Sequence, residues 1–374
     1  MKKIGYIMYA ALLTLGSCTS EINEEGFVDK ANTISFSAYS SKTRAYTSGD
    51  VANIDNMKEG SFGVVGYTAD NNIYLGSTSK AIEQSWNGTI WDYTTASELK
   101  YWPASVMDFY AYFPYSSSGD GFASSDASGD VMTITNNSGN QDVLFAREAN
   151  VSQTTYVTLH FNHALSKIKS VIIQVNAVDV EVTVKGIKFL NTATKGEIKV
   201  SSEGNASYGT TSEPRSFDFS ASPKVINKSI AAGVTLFDNN DNGYVFATNT
   251  NPQHNVYGTS KTMWTAGDKA SLGGGKLSTS EFVVMELECK VKAAGHYLVG
   301  GEDSYGNMYI PMHGTSSNGG DITELLAARR YTYKVVMTSN VGYKDNGDPI
   351  MLAPIRFSVN EVPEWNDVEV TINL

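Results

Sequence analysis

From residue 33 to residue 39 apolar and polar positions alternate: Ile34, Phe36 and Ala38 fall on one face, Ser35, Ser37 and Tyr39 on the other. A period of two predicts a β-strand with one face against a core. The signature returns along the chain. Residues 62–67 predict a strand, and residues 106–113 put Met107, Phe109, Ala111 and Phe113 on one face, with Asp108, Tyr110 and Tyr112 opposite. Val157, Leu159 and Phe161 alternate again, and Val171-Ile172-Ile173 suits a strand covered on both sides. Further strands are predicted over residues 244–247, 282–291, 308–311, 331–338, 355–359 and 368–374. One short helix is predicted over residues 321–328, where Asp321 and Glu324 have the spacing of a capping box. Polar stretches at 40–60 and 116–130 read as connections.

Many short strands spaced by turn signals predict β-sandwiches. At roughly 150 residues per domain, 374 residues suggest about two. A break near residues 175–180 divides the body into halves of sandwich size, 45–178 and 179–374. Composition agrees: 21 tyrosines and 33 glycines with only 18% charged residues favour strands and tight turns over charged helices. Lys plus Arg is 28 against 39 for Asp plus Glu, a net charge of −11, so a basic face for nucleic acid is not expected.

The N-terminus reads as an address. Lys2 and Lys3 precede a short apolar run, residues 4–15, that ends in Leu15-Gly16-Ser17-Cys18. Small residues before such a cysteine resemble a bacterial lipobox, in which cleavage falls between Ser17 and Cys18 and Cys18 is lipidated. An ordinary signal peptide with an incidental cysteine is the alternative. On the lipobox reading residues 1–17 are removed, and residues 18–44 are a tether plus first strand. Glu21, Glu24 and Glu25 follow as an export signal or a solvated tether. The lipid would hold the chain to the outer membrane at the cell surface. The two cysteines, Cys18 and Cys289, exclude a disulfide scaffold or a multi-cysteine zinc site, and Cys289 is expected to be a buried small hydrophobe.

Catalytic patterns are wanting. His160 and His163 are three apart, so a strand points them to opposite faces, unsuited to one metal. Gly273-Gly274-Gly275-Lys276-Leu277 lacks the hydroxyl residue of a phosphate loop and reads as a turn. No nucleophile elbow appears. No enzyme, metal or cofactor is expected.

Several motifs, in order along nearly the whole chain, resemble the Bacteroides-type fimbrillins, or type V pilins. They are the lipobox at Cys18, Thr43-Arg44-Ala45 after the first strand, Phe62-x-Val64-x-x-Tyr67, and Tyr101-Trp102-Pro103 followed by Phe109-x-Ala111-Tyr112-x-Pro114. Then come Leu159-x-Phe161-x-His163-Ala164-Leu165-Ser166-Lys167-Ile168, Tyr331-x-Tyr333-x-Val335, and Trp365 near the C-terminus. One departure is visible: Ala328-Arg329-Arg330 stands where a glycine is expected before the Tyr-x-Tyr strand.

The resemblance implies two tandem transthyretin-like β-sandwiches in a lipoprotein precursor. It implies that an arginine-specific protease cuts between Arg44 and Ala45, releasing a displaced strand that carries Ile34, Phe36 and Ala38. A strand from a neighbouring fimbrial subunit then fills the groove by strand addition. The C-terminal run offers Val368, Val370, Ile372 and Leu374 on one face, so it is the candidate donor; the alternative is that it closes its own domain. Arg44 as an incidental loop arginine is the alternative to the maturation site. A host or bacterial surface receptor is an expected partner. The competing function is a surface glycan-binding lipoprotein, in which tyrosines and tryptophans would stack on sugars.

Overall fold

The computed structural model describes residues 32–40, 57–115, 122–123, 130–137, 139–238, 243–248, 256–257, 261–317, 319–338, 340–351, 355–358 and 367–371. The chain is all-β, with short 3-10 turns at Ala96–Glu98, Ala266–Leu272 and Leu277–Thr279. The third glycine of Gly273-Gly274-Gly275 follows a turn that Gly273 ends in a left-handed conformation, as the glycine run predicts.

The first half closes on itself. Strands Ser61–Thr68, Ile82–Trp86, Trp91–Tyr93, Phe36–Ser40, Val157–His163, Leu144–Val151 and Met107–Phe113 pair in that order, and Met107–Phe113 pairs back on Ser61–Thr68. Closure needs Gly63: it lies opposite Tyr112, and a β-carbon there would meet the Tyr112 ring at 2.4 Å. Inside the ring Phe36, Phe62, Phe109, Leu159 and Phe161 form the core.

A five-stranded sheet packs on this unit, and part of it comes from far along the sequence. Its order runs Val256–Tyr257, Ala206–Ser212, Lys195–Ser201, Asp130–Asn136, Phe122–Ala123. Ile198, Val200 and Ala206 of its hairpin are buried in the same core as Phe36 and Phe109. The sheet explains why Tyr110 is buried although it faces away from Phe109. The Tyr110 hydroxyl donates to the Ser202 carbonyl at 2.8 Å, and Tyr67 donates to the Val131 carbonyl at 3.1 Å.

The second core lies between two eight-stranded sheets. Leu165–Val175 is central in one and Val180–Leu190 in the other, so the chain changes sheet at residues 176–179. Ile168, Val171 and Ile173 face Val182, Val184 and Phe189 across this core with Leu287, Val291, Tyr331 and Tyr333. Ile172 is only half-buried, so the run 171–173 has one face in the core rather than two. Cys289 is fully buried and unpaired, and burial pushes its thiol well above the ordinary range.

Residues 321–328 do not form the expected helix. Asp321–Ile322 is a strand paired on Gly314–Ser316, and the chain beyond it is an extended strap. Its backbone groups are claimed by distant segments. Met263 N–H donates to the Thr323 carbonyl at 3.0 Å, Thr248 N–H to the Leu325 carbonyl at 2.8 Å, and Ala328 N–H to the Leu165 carbonyl at 2.9 Å. Leu325 and Ala327 are buried at strand spacing, so tertiary pairing outweighs a local capping signal.

Ala328 sits at φ +56°, in the left-handed region, in the segment where the family resemblance places a glycine. Ala328→Gly should therefore stabilise the chain by about 0.5–1 kcal/mol, since a side chain in this conformation costs about 1–2 kcal/mol and the extra backbone freedom of glycine offsets part of the gain. A denaturant midpoint that falls would show that the turn carries no strain.

Candidate functional site

The site is the seat of the first strand. Phe36–Ser40 pairs in parallel with Val157–His163 over five positions, from Phe36 opposite Val157 to Ser40 opposite Phe161. Ahead of the strand, the Ile34 N–H donates to the Lys100 carbonyl at 2.9 Å and Thr33 bridges Tyr101. The Val157 N–H donates to the Ser35 carbonyl at 2.8 Å. The Tyr93 hydroxyl donates to the Ile34 carbonyl at 2.9 Å; burial pushes that phenol far up, which keeps it a donor.

Alternation puts the apolar row inward. Ile34 and Phe36 are buried and Ala38 is half-buried. The Phe36 ring meets Phe109 edge-on at 5.5 Å and Phe62 at 6.3 Å; Phe62 in turn packs on Trp91 at 4.9 Å and Phe161 at 5.5 Å. Burying Ile34 and Phe36 is worth about 1.5–3 kcal/mol each. Without this strand, an aromatic groove and the inner edge of Val157–His163 would stand open.

Beyond Phe36 the opposite flank is weakly held. Among the described residues Phe36–Ser40 meets Trp91–Tyr93 at one position, Phe36 opposite Trp91. The hairpin turn before Trp91 was not anticipated from the sequence. Its signal was present: Asn87-Gly88 between Trp86 and Trp91 is a hairpin pair, Gly88 takes φ +99°, and the Asn87 side-chain oxygen accepts from the Thr89 and Ile90 N–H groups at 3.0 Å each.

The remaining expected site residues fall elsewhere. Ser17, Cys18, Arg44, Ala45, Ile372 and Leu374 lie outside the described residues. The backbone of Val368 and Val370 lies in Asp367–Thr371, which pairs in parallel with Arg330–Met337, Val368 opposite Tyr331 and Val370 opposite Tyr333. It also pairs with Gly314–Ser316, so the candidate donor is a strand of its own second sandwich here. Ile355–Ser358 occupies the same flank of Arg330–Met337.

The histidine motif forms the junction between the two cores. His163 Nδ1 lies 2.7 Å from Asp142 Oδ2, while His160 points outward to Glu148, at 2.5 Å, so the two rings do not converge. The Ala164 N–H donates to the Val143 carbonyl at 2.8 Å, and the Tyr208 hydroxyl donates to the Ala164 carbonyl. Ser166 donates to the Leu326 carbonyl at 2.6 Å, and the buried Lys167 ammonium lies 4.7 Å from the centre of the Tyr244 ring. Arg215 also ties the junction: its guanidinium donates to the Gly139 carbonyl, to Asn140 Oδ1 at 2.9 Å and to the Tyr244 carbonyl at 2.8 Å. Burial pushes this guanidinium down to about 10. Among the described residues no group of three or more metal-ligating side chains converges.

An all-β chain with a closed ring and a second core between two sheets is the class of protein these elements define. A family model described as fimbrillin-like matches residues 43–273, well over half of the chain, and the chain belongs to that family. Membership makes it a fimbrial protein of the Bacteroides type, a structural subunit or adhesin at the cell surface. Solved structures are similar at low identity. A fimbrial protein from Bacteroides vulgatus is 16% identical, covering 82% of this chain and 95% of that one, with a TM-score of 0.41. A proposed cell adhesion protein from Bacteroides uniformis is 14% identical, covering 89% and 98%, with a TM-score of 0.42. Another from Parabacteroides distasonis is 10% identical, covering 83% and 89%, with a TM-score of 0.47. No curated protein matches the chain.

Proposed function

We propose that this chain is a fimbrial subunit that polymerises by strand exchange. It is exported as a lipoprotein held to the outer membrane through Cys18 and cut between Arg44 and Ala45. The segment carrying Ile34, Phe36 and Ala38 then leaves, and Val368, Val370, Ile372 and Leu374 of a neighbouring subunit take its place. The carrying observation is the seat itself: the first strand fills an aromatic groove, yet one register pair joins it to the strand on its far flank. Family membership supports the coarser role, a structural one in a cell-surface fimbria. Donation requires Asp367–Thr371 to leave its own sheet, where it is bordered by Arg330–Met337 and Gly314–Ser316. We further propose two structural units, with the hairpin Lys195–Ser201 and Ala206–Ser212 belonging to the first although it follows residue 178.

The test is Arg44→Ala in cells that export and process the protein. The variant should accumulate as a folded monomer with its own first strand in place, and N-terminal sequencing of the unaltered protein shed from cells should begin at Ala45. Normal fimbriae from Arg44→Ala would overturn the maturation step.

A further inference from the structure

The flank that holds the first strand most weakly is also where a cleft opens. Past the pair Phe36–Trp91, the first strand and the turn at residues 87–90 diverge. Between them lies a cleft of about 330 Å³ lined by Ser37, Ala38, Trp86, Ile90, Trp91 and Tyr156. Tyr156 is exposed and Ile90 half-buried, so apolar surface here faces solvent. Lys58 adds a positive charge, its ammonium 4.9 Å above the Trp86 ring and within the same lining. We propose that this cleft is the landing site at which an incoming strand engages before the first strand leaves, and that its occupant is residues 361–374 of a second copy. The inference rests on the strand-exchange reading and adds the place where exchange starts.

Two features of the chain select that occupant. Residues 361–374 combine an alternating apolar row with Trp365, which suits a cleft that offers strand backbone on one side and indole rings on the other. They also carry Glu361, Glu364, Asp367 and Glu369 and no basic residue, complementary to Lys58. Energetics favour such a start. Release of the first strand in one step would break five register pairs and bare Phe62, Phe109 and Phe161 to water before anything covered them. A strand that lands beside Ser37 and Ala38 can advance along the groove as the old one retreats, each pairing lost being offset by one gained.

The experiment uses the full chain, cut after Arg44 with an arginine-specific protease, with a fluorophore on the N-terminal fragment that stays seated. A synthetic peptide of residues 361–374 is added and fragment release is followed in time. Ile90→Asp and Lys58→Glu should each slow release about tenfold or more while reaching the same final extent, because both change the landing step rather than the groove. Both side chains are only partly buried, so folding is checked by the unfolding midpoint, and Lys58→Glu decides if Ile90→Asp fails to fold. Equal release rates for the natural sequence and Lys58→Glu overturn the landing site and leave strand exchange standing. No release from the natural sequence at any peptide concentration overturns strand exchange itself, and the landing site with it.

Discussion

Phe36→Ala is expected to destabilise the unprocessed chain by about 3–5 kcal/mol and to leave assembled fimbriae as stable as before. The first half of that expectation follows from packing. Phe36 is buried against Phe62 and Phe109, and truncating a buried phenylalanine removes its transfer energy and leaves a cavity. The second half follows from maturation. If cleavage after Arg44 removes the segment that carries Phe36, the polymer no longer contains residue 36 and cannot feel the substitution. Phe109→Ala is the matched control, since Phe109 lines the same groove from a strand that stays, and it should weaken precursor and polymer alike. The measurements are unfolding midpoints of the purified precursor and dissociation temperatures of fimbriae from the same variants. Fimbriae weakened by Phe36→Ala would mean that the first strand remains in the polymer.

The strand character of the chain was legible because one face of most strands is buried, and alternation survives wherever the ladder is regular. Val157, Leu159 and Phe161 show this cleanly, buried at every second position with exposed residues between. Val180–Leu190 shows the reverse. Its inward residues are Val180, Val182 and Val184, then Ile187 and Phe189, because a register shift between Val184 and Gly186 moves the buried set from even to odd positions. A two-residue period read through that bulge cancels, and the strand escaped notice although it is central in its sheet. The capping pair Asp321–Glu324 misled for the opposite reason. It is a true local preference, overruled by hydrogen bonds to Met263, Thr248 and Leu165 that no local window contains. For the site, the inward row Ile34, Phe36 and Ala38 was readable from spacing. Its single-pair attachment to Trp91 was not, since that depends on how far a turn at residues 87–90 stands away from a strand fifty residues earlier.

A chain ended at residue 178 should fail to form a cooperative fold, although it contains every strand of the closed ring. The break in the sequence falls there because residues 176–179 link two central strands, and a division at 178 looks natural from pattern alone. The first core does not respect it. Ile198, Val200 and Ala206 are fully buried in that core, and Lys195–Ser201 pairs with Asp130–Asn136 over six register positions. Deleting the hairpin forfeits about 1.5–3 kcal/mol for each of Ile198 and Val200. It also bares Met132 and Ile134, and it strips the Tyr110 hydroxyl of its Ser202 acceptor. Summed, the loss approaches the whole stability of an ordinary domain, about 5–15 kcal/mol. The same argument predicts that Ile198→Asp in the full chain, by driving a carboxylate into that core, destabilises the first unit by more than about 3 kcal/mol. Hydrogen exchange reads both results. Amides of Val157–His163 should lose protection in Ile198→Asp, while those of Val284–Ala293, in the second core, should keep it. A fragment of residues 19–178 that unfolds cooperatively, with protected amides in Met107–Phe113, would show that the hairpin decorates the first unit rather than completing it.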